Sequence, residues 1–104
     1  MSQHVLEVAM QDERKVHVLM GWDRPLEGYF MVAWYLDKNG EDTDDYLFNN
    51  LEQEISHPKQ IDYYVNWLEN RGIHLPVEMI DDIKQDGANN MGNKFKDWGA
   101  IQQA

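Results

Sequence analysis

The sequence predicts an α+β fold, with a three-stranded antiparallel sheet followed by two helices packed on one face, and a fourth strand if residues 1–14 pair at the sheet edge. Three observations carry this expectation. Residues 15–36 hold two strand-like runs separated by turn residues. Asn39-Gly40 precedes a further strand-like run. From Ile61 onward the apolar spacing changes from every second residue to every third or fourth.

Residues 1–14 mix Val5, Leu6, Val8, Ala9 and Met10 with the polar run Gln11-Asp12-Glu13-Arg14. Their alternation is not clean, so they read as an edge strand or a loosely attached arm. From Lys15 the pattern sharpens: Val16, Val18, Met20 and Trp22 fall on one face, and His17, Leu19 and Gly21 on the other. Asp23-Arg24-Pro25-Leu26-Glu27-Gly28 supplies turn chemistry, because Pro fixes one φ and Gly admits conformations closed to other residues. Residues 29–36 are apolar on both faces and read as a central strand covered on both sides. The Asn39-Gly40 pair predicts a type I′ hairpin turn, with Thr43 to Phe48 as the return strand. That strand begins among Glu41, Asp42, Asp44 and Asp45, so its start needs water or a partner.

Ser56-His57-Pro58 reads as a helix start and Gly72 as its end, with Ile61, Tyr64, Val65 and Leu68 forming the core-facing stripe. A second helix is expected from Pro76 to about Gly87, burying Val77 or Met79 with Ile80 and Ile83. The short linker Gly72-Ile73-His74-Leu75 makes the two helices antiparallel or steeply crossed neighbours. Residues 88–104 read as an irregular tail anchored by Phe95 and Trp98.

At 104 residues the chain is expected to form one domain. Apolar residues make up 42% and charged residues 27%, which fits a folded body. Against nine Lys and Arg stand nineteen Asp and Glu, a net charge of −10, so the acidity belongs to the surface. Such a charge disfavours direct contact with nucleic acid or anionic lipid, because both are bound through Lys and Arg. Without cysteine there are no disulfides, thiolate nucleophiles or cysteine-ligated metals. No apolar run is long enough to span a bilayer, and Met1-Ser2-Gln3-His4 lacks the features of a signal segment, so the expected compartment is cytoplasmic.

The acidic stretch Asp37 to Asp45 does not fit an EF-hand: Gly40 is fourth rather than sixth, and no Glu stands at the twelfth position. On the second helix Glu78, Asp82 and Asp86 recur every four residues, rising about 6 Å per step, a repeat similar to that of neighbouring phosphates. Together with Asp42, Asp44 and Asp45 they permit a nucleic-acid mimic; an ordinary solvated face is the alternative. Tyr63 and Trp67 lie off the core-facing stripe, either as exposed partner anchors or as cover for the core flank. Trp22 and Arg24 are presented to a partner by a rigid loop, or else an Asp23–Arg24 pair braces a hairpin turn under a buried Trp22. His4, His17, His57 and His74 are scattered, and no nucleophile elbow, phosphate loop or two-His metal motif is present.

These features point to a small acidic protein-binding or regulatory module that meets a protein partner with a basic surface, using no cofactor, no metal and no catalytic residue. The alternatives are a nucleic-acid-mimic inhibitor of a basic nucleic-acid-binding protein, and a small-ligand pocket or minor enzyme. A homodimer is also compatible, since residues 29–36 need cover on both sides.

Overall fold

The two ends of the chain lie side by side in the sheet. In the computed structural model, which describes residues 1–103, β1 (Ser2–Ala9), β2 (Lys15–Asp23), β3 (Gly28–Leu36) and β4 (Asp42–Asn49) form an antiparallel meander. A last strand, β5 (Lys94–Gln102), adds in parallel along β1, giving the order β4-β3-β2-β1-β5. A 3-10 turn at Asn50–Glu52 and two helices, α1 (Asp62–Glu69) and α2 (Val77–Ala88), connect β4 to β5. The fold is therefore α+β, but the sheet is five-stranded and mixed rather than three- or four-stranded and antiparallel.

Both differences come from the chain ends. Residues 1–14 supply an interior strand instead of an edge or an arm, and residues 94–102 form a strand instead of an irregular tail. The register sets Ser2 beside Lys94 and His4 beside Lys96, so the core-facing positions of both strands open with polar side chains. Only further along do Leu6, Val8 and Ile101 restore an apolar pattern on that face.

Both helices cover this same face. Val8, Val16, Val18, Met20, Met31 and Ala33 from the sheet are fully enclosed with Tyr64, Leu68, Met79 and Ile83 from the helices. Each large apolar side chain buried this way contributes about 1.5–3 kcal/mol. α1 lies towards β3 and β4: the Tyr64 hydroxyl donates to the Tyr29 carbonyl at 3.2 Å and its ring meets Phe48 edge-on at 5.7 Å. α2 packs over β1 and β2.

Local hydrogen bonds explain where turns and helices depart from expectation. At Asp37–Glu41 the Gly40 N–H donates to the Asp37 carbonyl at 2.9 Å and the Asp37 N–H to the Glu41 carbonyl at 2.8 Å, with only Gly40 at positive φ. This is a three-residue loop with a left-handed residue at its end, not a type I′ turn. The Asp37 carboxylate selects it by accepting from the N–H groups of Asn39 and Glu41. The β1–β2 loop follows the same plan with Glu13 in the left-handed place, at φ 71°.

Ser56-His57-Pro58 does not begin α1. The Pro58 carbonyl accepts from the Tyr29 N–H at 2.9 Å, and the Ser56 carbonyl accepts from Asn50 and Tyr64, which ties this segment to the body in a non-helical path. α1 stops at Glu69, and the turn after it closes at the expected Gly72, whose φ of 76° lets Ile73 N–H reach back to the Leu68 carbonyl. α2 runs through Gly87 and stops at Asn89, with Asn90 in the left-handed conformation and Met91 N–H bonded to the Asp86 carbonyl.

Gly87 serves close approach instead of helix termination, because a Cβ there would overlap the Tyr29 hydroxyl. Alanine in a helix interior is ordinarily better than glycine by about 1 kcal/mol. Here Gly87→Ala is expected to lower stability by about 1–3 kcal/mol through overpacking. Adding Tyr29→Phe, which removes the nearest clashing atom, recovers part of that loss; urea unfolding of the single and double variants measures both, and a stabilised single variant contradicts the packing.

Candidate functional site

On the covered face the polar openings of β1 and β5 meet α2 in one buried network. His4 and Asp86 are almost wholly enclosed and join through Nε2 and Oδ2 at 2.6 Å. The Trp98 indole N–H donates to His4 Nδ1 at 2.9 Å. Nδ1 must therefore be an acceptor, which places the ring proton on Nε2, where it donates to Asp86. The other Asp86 oxygen accepts from Lys94 at 2.8 Å, Lys94 also reaches Asp82 at 3.1 Å, and Lys96 adds a 3.4 Å contact to Asp82. Lys96 further sits 4.2 Å from the Trp98 ring centroid. Burial by itself raises the Asp82 carboxyl and lowers the Lys94 ammonium. The hydrogen bonds and charges exchanged within the cluster outweigh burial, so Asp82 titrates below, and Lys94 above, its ordinary range.

This network dismantles the expected row of carboxylates on α2. Asp86 is 1% exposed and bound to His4 and Lys94, while Asp82 is matched by two ammonium groups. Of the three, only Glu78 points freely to solvent. Asp42, Asp44 and Asp45 lie on β4, at the opposite edge of the sheet from β5, across about 19 Å of strand spacings. The two acidic groups therefore do not form one continuous stripe.

The predicted aromatic anchors separate as well. Trp22 belongs to the core: its ring meets Tyr29 edge-on at 4.9 Å and its Nε1–H donates to Asn90 at 2.9 Å. Arg24 is exposed in the β2–β3 turn. Trp67 leans on Phe48 at 4.7 Å and is capped by the Arg71 guanidinium, 3.6 Å from its centroid, which leaves Tyr63 as the exposed ring of α1.

What sequence reasoning did not single out is the other face of the sheet, which neither helix covers. Its positions alternate with the core positions, so strand pairing places Val5, Leu19, Phe30, Val32, Trp34 and Leu36 along its middle, with Tyr46 from β4 and Phe95 from β5 at its flanks. Tyr46 is 48% and Phe95 65% exposed. His17 stacks on Trp34 at 4.7 Å, and Trp34 Nε1–H donates to Asp42 at 2.8 Å. At one end, Leu26 from the β2–β3 turn and Leu51, 72% exposed, from the 3-10 turn extend the apolar surface. There they border an open groove of about 330 Å³ floored by Leu19, Phe30 and Val32, with Asp23, Asn50 and His57 as its polar lining. The one clue in the sequence was that residues 29–36 are apolar on both faces.

Two histidine–carboxylate pairs bear on chemistry. The His4–Asp86 pair is sealed from solvent, so no substrate reaches it. His57 Nε2 lies 3.7 Å from Asp23, beyond hydrogen-bond length, and its Nδ1 contacts Ser56 Oγ at 3.1 Å. The Ser56–His57–Asp23 trio thus has one contact of hydrogen-bond length and one beyond it. Among the described residues no group of three or more His, Asp or Glu is placed to hold a metal, and no helix is long and apolar enough to cross a membrane. No protein family, curated protein or solved structure matches the chain.

The network generates two expectations. Asp86→Ala leaves the buried His4 imidazole without its acceptor and the Lys94 ammonium with Asp82 alone, and is expected to cost about 3–5 kcal/mol, while Glu78→Ala stays within about 0.5 kcal/mol; denaturant unfolding compares them. Asp82, with its depressed pKa, contributes stability that is present above its unfolded value near 3.8 and is lost as pH falls through the folded value. Lys94, with its raised pKa, contributes stability that is present below its unfolded value near 10.5 and is lost as pH rises through the folded value. Thermal melts across pH are expected to show both limbs in the parent protein, and both reduced in Lys94→Met.

Proposed function

We propose that this chain is a protein-binding module that docks a partner on the uncovered face of its sheet, acting by recognition and not by bond-making. The observation that carries the reading is the aromatic and aliphatic surface built from Trp34, Tyr46, Phe95, Leu26 and Leu51 around the groove over Phe30. An antiparallel meander commonly leaves one face to water, and that face is then polar. Here its centre is apolar, and contiguous apolar surface rimmed by polar residues marks an interaction site.

Size supports the reading too. Five strands about 4.8 Å apart and roughly 27 Å long present about 600 Å² per side, close to the lower end of specific interfaces. Rigid Trp and Tyr side chains are the usual energetic anchors of such surfaces. Tyr63 on α1 is the competing anchor, on the other side of the molecule.

Single substitutions at exposed positions separate the two faces. Leu51→Arg and Phe95→Arg are expected to keep the fold and to lose the partners that the parent protein retains in affinity capture, while Tyr63→Arg retains them. Loss with Tyr63→Arg and retention with both sheet-face variants would place the contact on α1 and contradict the proposal.

A further inference from the structure

Resting on the reading that the uncovered face is the docking surface, we infer that its partner is a cationic protein, which seats an apolar side chain in the groove over Phe30 and sets Lys or Arg against the carboxylates around it. The charges on this face are unequal. Glu7, Asp23, Asp42 and Asp97 stand there against the single ammonium of Lys15. Lys15 lies 3.9 Å from Glu7, a loose exposed pair, and the His57 imidazole lies 3.7 Å from Asp23; neither is paired with Asp42 or Asp97. Beside the groove the loops add exposed Glu27, Glu52 and Glu54, and the nearby Lys59 ammonium is turned onto the Glu27 carbonyl.

Several of the other cations are engaged away from this face. Lys94 and Lys96 neutralise Asp82 and Asp86 on the helix side. Arg71 covers Trp67, and Arg14 pairs with Asp12 and lies over Tyr35. Exposed carboxylates remain elsewhere, Glu78 among them, but on this face they border an apolar centre. Complementary charge there steers and selects a partner, while the groove supplies contact. At about 330 Å³ the groove lies at the small end of ligand pockets, which fits one anchoring side chain.

A second copy of the chain fits this surface poorly. Face-to-face stacking about a two-fold axis would bring the same carboxylate rim against itself, in two chains each carrying −10. A cationic partner meets the same rim with opposite charge.

The test is selection of a random peptide library displayed on phage against the intact chain, followed by fluorescence anisotropy of the most enriched peptide. The expected peptides combine an aromatic or aliphatic residue with flanking Lys or Arg. Their affinity is expected to fall about tenfold or more between about 0.01 and 0.5 M salt, as the screening length shortens from about 30 Å to a few ångström. Leu51→Arg is expected to weaken binding about tenfold or more, and Asp97→Lys several-fold, in variants whose circular dichroism matches the parent. Sedimentation of the chain alone is expected to show a monomer at micromolar concentration.

Enriched peptides lacking Lys and Arg, or no enrichment at all, overturn the inference of a cationic partner. A dimer that Leu51→Arg dissolves overturns it in favour of a second copy, with the docking face itself left standing. Binding that survives Leu51→Arg and Phe95→Arg but is lost in Tyr63→Arg overturns both this inference and the docking face.

Discussion

The hydrogen bond between His4 and Asp86 joins the first strand to the last helix, and the remaining architecture is arranged around it. A buried carboxylate is strongly unfavourable unless charge and hydrogen bonds replace its lost hydration. Asp86 has both, from the His4 ring proton and the Lys94 ammonium. Lys94 is the first residue of β5, His4 lies in β1, and Trp98 of β5 closes the ring of contacts on His4 Nδ1. The cluster therefore fixes β5 against β1 in a single register, and it holds α2 down over both strands. Parallel pairing of β1 with β5 closes a loop that contains every other element of the fold, and such closure is offset by contacts of this strength.

That arrangement also distributes the acidity. A net charge of −10 reads as one featureless property in the sequence, but the fold divides it. On the helix side, Asp82 and Asp86 are matched by Lys94 and Lys96 and act as structural groups. On the sheet side, the carboxylates of Asp23, Asp42 and Asp97 border the partly apolar face that neither helix covers. The side chains of the proposed binding surface are therefore neither the helix carboxylates nor Trp22, but Trp34, Tyr46, Phe95 and Leu51.

How much was legible in the sequence follows from which residues face the core. β2 and β3 were plain because Val16, Val18, Met20 and Trp22 alternate cleanly and residues 29–36 are apolar throughout. α1 and α2 were plain in their apolar stripes but not at their ends. Hydrogen bonds from Tyr29, Asn50 and Tyr64 hold Ser56 to Pro58 out of the helix, and Gly87 is used for contact with Tyr29. β5 was illegible because its pattern is inverted: Lys94 and Lys96 point to the covered face and Phe95 to the open one. An alternation test that equates buried with apolar cannot find a strand whose inward side chains are lysines bound to aspartates. The proposed docking face shared that fate, since its residues come from all five strands and become neighbours only once the sheet order is known.

The most direct measurement of the central contact is the tautomer of His4, read from long-range ¹H–¹⁵N correlation of its imidazole ring at neutral pH. The structure predicts a neutral ring with the proton on Nε2, protected from exchange, and an acceptor-type Nδ1 whose signal changes when Trp98 is replaced by Phe. A proton on Nδ1, or a ring exchanging freely with water, would contradict the account.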